Sequence, residues 1–111
     1  MKICIAGKSY IAVDALVYVI NKYGKSNILV CPNKNDNSIN TWEPSLKKIA
    51  EKYNIAILKL EDLYELEDII FISLEFDRIL DLNKFKSKKL FNIHFSSLPA
   101  YKGVFTSALP I

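Results

Sequence analysis

The sequence predicts an α/β fold in which an open, mainly parallel sheet is flanked by helices. Short apolar runs alternate with segments whose apolar residues recur at helical spacing. Residues 2–6 form such a run before Gly7, residues 11–23 follow a helical pattern, and residues 28–31 supply the next strand. Strand, glycine turn, helix and strand make a right-handed crossover, so these strands are expected to be parallel.

The same alternation continues to the end of the sheet. We predict a loop, a helix, a strand, a short helix, a strand inside the sheet and a last strand at residues 32–40, 46–53, 55–58, 60–66, 69–74 and 90–93. This order indicates a Rossmann-like arrangement, in which ligands bind beyond the carboxyl ends of the strands.

Composition narrows the classes of function. With 111 residues, 50% of them hydrophobic, the chain is one domain or part of one. A net charge of +3 is too small to indicate nucleic acid or membrane partners. Cys4 and Cys31 lie in predicted buried strands, which favours free thiols and a reducing cytoplasm. A single histidine without a close pair of cysteines predicts no metal site, and no signal peptide or membrane span is predicted.

The turn after the first strand offers two interpretations. Its Gly7-Lys8-Ser9 sequence is not a P-loop, because the required earlier glycine would fall at Lys2, and it lacks the glycines of a dinucleotide fingerprint. Either Lys8, Ser9 and Tyr10 present backbone N–H groups to an anionic group of a substrate, or the segment is a plain strand-to-helix turn.

The loop at residues 32–40 and the tryptophan beside it also leave two interpretations. Trp42 could offer a flat surface to a nucleobase or sugar, with Asn33 as a hydrogen-bonding neighbour. Alternatively, Trp42 packs onto the domain at the start of the following helix.

The most specific pattern lies at the end of the last strand. Asn92 and His94 alternate with apolar residues, so the two polar side chains are expected to share one face and open into a cleft. The chain then turns at Pro99 and Gly103, which predicts an exposed loop.

Residues 92–103, Asn-Ile-His-Phe-Ser-Ser-Leu-Pro-Ala-Tyr-Lys-Gly, resemble the signature of the folate-dependent formyltransferases. That signature reads Asn, a hydrophobic residue, His-Pro-Ser, then Leu-Pro, an aromatic residue, Arg or Lys, and Gly; Phe95 replaces the proline. The resemblance implies a formyltransferase fold and formyl transfer from 10-formyltetrahydrofolate to an amine. Asn92 would donate to the developing oxyanion, an interaction worth about 3 kcal/mol in acyl transfer. His94 would transfer the proton of the amine.

The resemblance also implies binding residues. The segment after the strand at residues 69–74 would line a pterin pocket, which makes its members candidate folate ligands: Phe76, Asp77, Arg78, Ile79 and Leu80. The alternative is that its apolar members only cover the sheet edge. Tyr101 and Lys102, in the loop of the signature, are candidate substrate ligands, although a structural role for Lys102 remains open.

The first turn and the segment around Trp42, Pro44 and Leu46 resemble the bacterial sugar-nucleotide N-formyltransferases. Those enzymes formylate an amino-deoxysugar carried on a nucleotide, commonly dTDP, for lipopolysaccharide or other surface polysaccharides. A piece of a methionyl-tRNA formyltransferase and a non-catalytic sugar-nucleotide-binding module are the alternatives.

The resemblance covers the N-terminal portion of the family's catalytic domain, here residues 1–111. The family's third catalytic residue, an Asp beyond the His, has no counterpart, because every acidic residue precedes Asn92. We therefore expect a fold incomplete at its C-terminus, little turnover, and self-association through the apolar segment at residues 104–111.

Overall fold

The computed structural model describes residues 1–40 and 44–93, which form a single parallel sheet with helices on both faces. The elements are β1 (Lys2–Gly7), α1 (Ser9–Tyr23), β2 (Ile28–Pro32), α2 (Leu46–Lys52), β3 (Ala56–Ile57), α3 (Leu60–Tyr64), β4 (Ile69–Leu74), a 3-10 turn (Leu82–Lys84) and β5 (Lys89–Ile93). The strand order is β3-β2-β1-β4-β5, and every neighbouring pair is parallel. The predicted fold class is confirmed.

Apolar side chains fill both faces of the sheet. On one face, Ile5 of β1 packs with Leu16 of α1 and Leu46 of α2. On the other face, Phe71 of β4 packs with Leu63 of α3 and with Phe85, which precedes β5. Each large apolar side chain that is fully buried contributes about 1.5–3 kcal/mol. The strand ends that carry the site are therefore held by a core on each side.

Two elements are shorter than the sequence predicts by two residues, and α2 is shorter by one. The third strand covers residues 56–57 instead of 55–58, because it lies at the sheet edge and pairs only with β2. Leu58 still donates its N–H to Val30 O at 2.9 Å before the chain turns into α3. That helix ends at Tyr64, where the sequence predicts a helix to residue 66. None of these differences affects the edge that carries the candidate site.

The turn between β1 and α1 requires glycine at position 7. Gly7 has φ +139°, and a Cβ built there would lie 1.7 Å from Leu74 O of β4. The next residue, Lys8, donates its N–H to the same oxygen at 3.2 Å. This turn is therefore packed directly against the carboxyl end of β4.

Cys4 and Cys31 are both buried and free. Burial, followed by the neighbouring Cys31, raises the pKa of the Cys4 thiol. Burial raises the pKa of the Cys31 thiol to about 11. Both thiols are protonated near neutral pH, which makes them unreactive.

No helix within residues 1–40 and 44–93 is long and apolar enough to cross a membrane. The same residues contain no group of three or more His, Cys, Asp or Glu side chains placed to hold a metal ion.

Candidate active site

A pocket of about 330 Å³ opens at the carboxyl ends of β4 and β5. Phe71 and Ser73 of β4 and Leu90 of β5 lie on the sheet side of this pocket. The opposite wall comes from the segment after β4, which the sequence predicts to bind folate. The pocket lies beyond the carboxyl ends of the parallel strands, where ligands bind in open α/β sheets.

Asn92 lines this pocket from the end of β5. It pairs in register with Ser73 of β4, and it lies on the same sheet face as Leu90, two residues earlier. Leu90 is buried in the core of that face, whereas Asn92 is exposed. The strand thus places the carboxamide where the packed core ends and the pocket begins. His94, its predicted catalytic partner, lies outside the described residues.

Three apolar side chains of the predicted folate segment, those of Phe76, Ile79 and Leu80, line the pocket together. The Phe76 ring meets the buried Phe71 ring edge to face, with centroids 6.2 Å apart. Ile79 is 98% exposed, although it is apolar. An apolar wall that packs against the core on one side and faces the open pocket on the other suits a flat aromatic ligand.

Asp77 and Arg78, the two charged residues of this segment, bind the loop that follows β2. The Asp77 carboxylate accepts the Lys34 N–H at 2.8 Å and the Arg78 Nε–H at 3.1 Å. Arg78 also donates a hydrogen bond from its guanidinium to Pro32 O at 2.6 Å. Its Cζ atom lies over the Phe76 ring, 4.5 Å from the ring centroid. Arg78 lines the pocket while it braces the loop.

Asn33, a predicted substrate ligand, is 4% exposed and is bonded to protein groups on both sides of its carboxamide. Its Nδ2 donates to Glu75 O at 3.2 Å, and its Oδ1 accepts the Asp77 N–H at 3.2 Å. The structure thus gives Asn33 a bridging position between two loops.

The predicted anion-binding turn contains Lys8, Ser9 and Tyr10. Tyr10 is 63% exposed, and Lys8 has no capping hydrogen bond from its side chain. Since the Lys8 N–H already binds Leu74 O, fewer backbone donors point outward than the sequence predicts. Trp42, Tyr101 and Lys102 lie outside the described residues, so their roles stay predictions.

Two residues at this edge were missed by sequence reasoning. Ser73 is 2% exposed and lines the pocket. The sequence feature that could have revealed it is that Ser73 is the one polar residue in β4. Asp36 accepts hydrogen bonds from the Ser45 hydroxyl and from the N–H groups of Ser38 and Lys47. It therefore fixes the loop after β2 to the start of α2. The sequence pattern that could have revealed this role is an acidic residue before a helix with a serine N-cap.

Comparison with known proteins gives matches among solved structures. A scan against protein-family models finds no match, and neither does a search of curated proteins. An N-formyltransferase from Helicobacter canadensis, solved with folinic acid and dTDP-3-aminofucose, is 50% identical with a TM-score of 0.83. The alignment covers 89% of this chain and 37% of that one.

A second solved structure is WlaRD, a sugar 3N-formyltransferase determined in the presence of dTDP and 5-N-formyl-THF. It is 52% identical with a TM-score of 0.82, and the alignment covers 89% of this chain and 36% of WlaRD. The chain thus spans little more than a third of the length of these relatives. Identity at this level over most of the chain, on the same fold, shows that it belongs to the formyltransferase family and is most like the sugar N-formyltransferases.

Proposed function

We propose that this chain takes part in formyl transfer from 10-formyltetrahydrofolate to the amino group of an amino-deoxysugar linked to a nucleotide, with dTDP as the nucleotide. Residues 1–111 would form the N-terminal portion of the catalytic domain. The solved relatives support both substrates, since one is described with folinic acid and a dTDP-amino sugar and the other with dTDP and a formyl-folate.

The observation that carries this proposal is the pocket shared by Asn92 and the segment after β4. Its volume of about 330 Å³ and its wall of Phe76, Ile79 and Leu80 fit a flat bicyclic ring such as a pterin. The polar edge of such a ring needs hydrogen-bonding groups. Ser73 and Arg78 line the same pocket and would supply them.

The folate would supply the formyl group, and the chain's own residues would stabilise the charge that develops on its oxygen. Asn92 is exposed at the mouth of the pocket, and no hydrogen bond joins its side chain to another described residue. Its carboxamide N–H is therefore free to donate to that oxygen. His94, two residues further on, would accept the proton that the amine loses.

The sugar nucleotide would contact the other predicted residues of this edge. We assign Lys8, Ser9 and Tyr10 to its diphosphate side, and Trp42, Tyr101 and Lys102 to its base, sugar or phosphates. We also propose a bacterial cytoplasmic setting and a role in lipopolysaccharide or other surface polysaccharide synthesis. The bacterial source of one relative and the two buried free thiols support this setting.

The test is a single-turnover assay with the chain in excess over 10-formyltetrahydrofolate and dTDP-3-aminofucose, followed by mass spectrometry. We expect the formylated sugar nucleotide, and a rate about 100-fold lower for Asn92→Ala, because one oxyanion donor is lost. Asn21→Ala, which changes an exposed residue of α1, is the matched control and should keep the original rate.

Other results would point elsewhere. Formylation of methionyl-tRNA instead of the sugar nucleotide would replace this proposal with the tRNA branch. Binding of dTDP without folate binding or product would indicate the non-catalytic module. Equal rates for Asn92→Ala and Asn21→Ala would remove Asn92 from the chemistry.

A further inference from the structure

Two loops at the carboxyl edge of the sheet are joined although their strands are not neighbours. One comprises the last residue of β2 and the two residues after it (32–34), the other follows β4 at residues 75–78, and β1 lies between the two strands. Asn33 makes the central link through its hydrogen bonds to Glu75 O and the Asp77 N–H, both 3.2 Å long. Its backbone N–H donates to Gly7 O at 3.2 Å, which ties the link to the end of β1 as well.

Two more contacts flank Asn33. The Lys34 N–H donates to the Asp77 carboxylate at 2.8 Å, and the Arg78 guanidinium donates to Pro32 O at 2.6 Å. Asn33 is 4% exposed, whereas its partners Glu75 and Asp77 are half-buried and exposed, so its two bonds are partly shielded from water. Shielded hydrogen bonds constrain geometry more than exposed ones do, because an unpaired buried partner is costly.

The loop after β4 needs such a constraint. Glu75 has φ +55°, in the left-handed region that residues with a side chain seldom adopt. A conformation of this kind persists only when surrounding contacts hold it. The Asn33 side chain binds the carbonyl of this same residue.

We propose that Asn33 is a positioning residue for the folate pocket and does not contact the sugar nucleotide. It holds residues 75–78 in the conformation that places the Phe76 and Arg78 side chains in the wall of the pocket. Because the Arg78 guanidinium lies over the Phe76 ring, a shift of this loop would displace both side chains together. This inference rests on the proposed function, since it names the residue that sets the affinity of the pocket for folate.

The test compares Asn33→Ala with Asn37→Ala, an exposed asparagine of the same loop, in three measurements. Amide hydrogen exchange followed by NMR reports the Asp77 and Lys34 N–H groups. Calorimetric titrations give the affinities for folinic acid and for dTDP. Urea unfolding reports the stability of the whole fold.

For Asn33→Ala we expect Asp77 exchange at least about tenfold faster and folinic acid binding about tenfold weaker, since two hydrogen bonds are lost. The affinity for dTDP should not change, and exchange of the β1 amides should change no more than the urea midpoint requires. Asn37→Ala should match the unmodified chain in every measurement.

Unchanged Asp77 exchange in Asn33→Ala would overturn the inference, as would faster exchange with unchanged folinic acid affinity. Weaker dTDP binding with normal folinic acid binding would restore the role that the sequence predicts for Asn33.

If Asn33→Ala does not fold, Asn33→Asp provides the second test, because its carboxylate can still accept the Asp77 N–H but cannot donate to Glu75 O. It should weaken folinic acid binding, and a folinic acid affinity equal to that of the unmodified chain would overturn the inference. Failure of the unmodified chain to bind folinic acid would defeat the proposed function, whereas Asp77 exchange would still decide whether Asn33 holds the loop.

Discussion

Ile79 is an apolar side chain left almost entirely in water beside the pocket. It is 98% exposed, whereas its neighbour Phe76 packs against the core. An exposed side chain contributes little to folding, but it gains from burial when a ligand covers it. The position of Ile79 is therefore explained by binding better than by stability.

The first prediction follows from that exposure. Ile79→Ser should weaken folinic acid binding about tenfold, because the ligand would no longer bury an apolar side chain. Calorimetric titration measures the affinity, and urea unfolding should show no change in stability. Ile39→Ser, at a 60% exposed isoleucine away from the pocket, is the control. Equal affinities for the two variants would show that Ile79 does not contact folate.

Individual residues differ in how far the sequence could place them. Asn92 was predicted at a strand end facing a pocket, because the period of two along a strand is a local property. The bridging position of Asn33 was not, because its partners lie 42 and 44 residues away. No pattern within an Asn-rich loop distinguishes a buried amide from an exposed one; only the packing of β2 and β4 on either side of β1 does so.

The turn that joins β1 to α1 connects three elements. Gly7 is the last residue of β1, Lys8 precedes α1, and both approach Leu74 O at the end of β4. A side chain at position 7 would therefore disturb the same sheet edge that carries the pocket.

The second prediction concerns this turn. Gly7→Ala should lower the free energy of unfolding by about 3 kcal/mol or more, because the added Cβ meets a backbone oxygen and φ is positive. Gly24→Ala is the control: φ is +78°, but nothing lies within 4 Å of the added carbon. Its φ of +78° and ψ of 170° are almost restricted to glycine, so it should cost about 1–3 kcal/mol of backbone strain without an added clash. Urea unfolding measures both, and equal losses would contradict the close approach at Gly7.

The elements were largely predictable from sequence because buried parallel strands are continuous apolar runs. The third strand, at the sheet edge, was the weakest case. Ile55 is buried beside α2 but does not pair with β2, whereas Ala56 and Ile57 pair with β2 and are exposed. The apolar residues of this run therefore do not show which of them form the strand. Pairing at an edge depends on where the neighbouring chain turns away, which composition does not encode.

At the scale of the whole molecule, the two buried thiols link stability to pH. Burial raises the pKa of the Cys31 thiol to about 11 from an ordinary value of 9.0, with Asp77 and Glu61 adding to the rise and Arg78 opposing it. The folded chain thus holds this proton more tightly than the unfolded chain does. The contribution of the protonated Cys31 thiol to the free energy of unfolding is complete below pH 9. It is lost as the pH rises from 9 towards 11.

The third prediction measures this loss. Urea unfolding at several values from pH 8 to pH 11 should show the stability difference between the unmodified chain and Cys31→Ala shrinking by about 2–3 kcal/mol. Lysine and tyrosine titrations affect both chains alike and cancel in that difference. Parallel stability curves would show that the Cys31 thiol is not held in its protonated form by the fold.

Folate binding at the carboxyl ends of β4 and β5 is the claim on which the proposed function depends. The most direct measurement is a titration of the isotope-labelled chain with folinic acid, followed through its backbone amide signals by NMR. We predict that the largest shifts cluster at Ser73, at residues 76–80 and at Asn92. The amides near Met1 and Asn27, which lie at the opposite, amino-terminal ends of the strands, should not shift. Absence of shifts around the pocket, or a cluster at the opposite edge, would contradict the account.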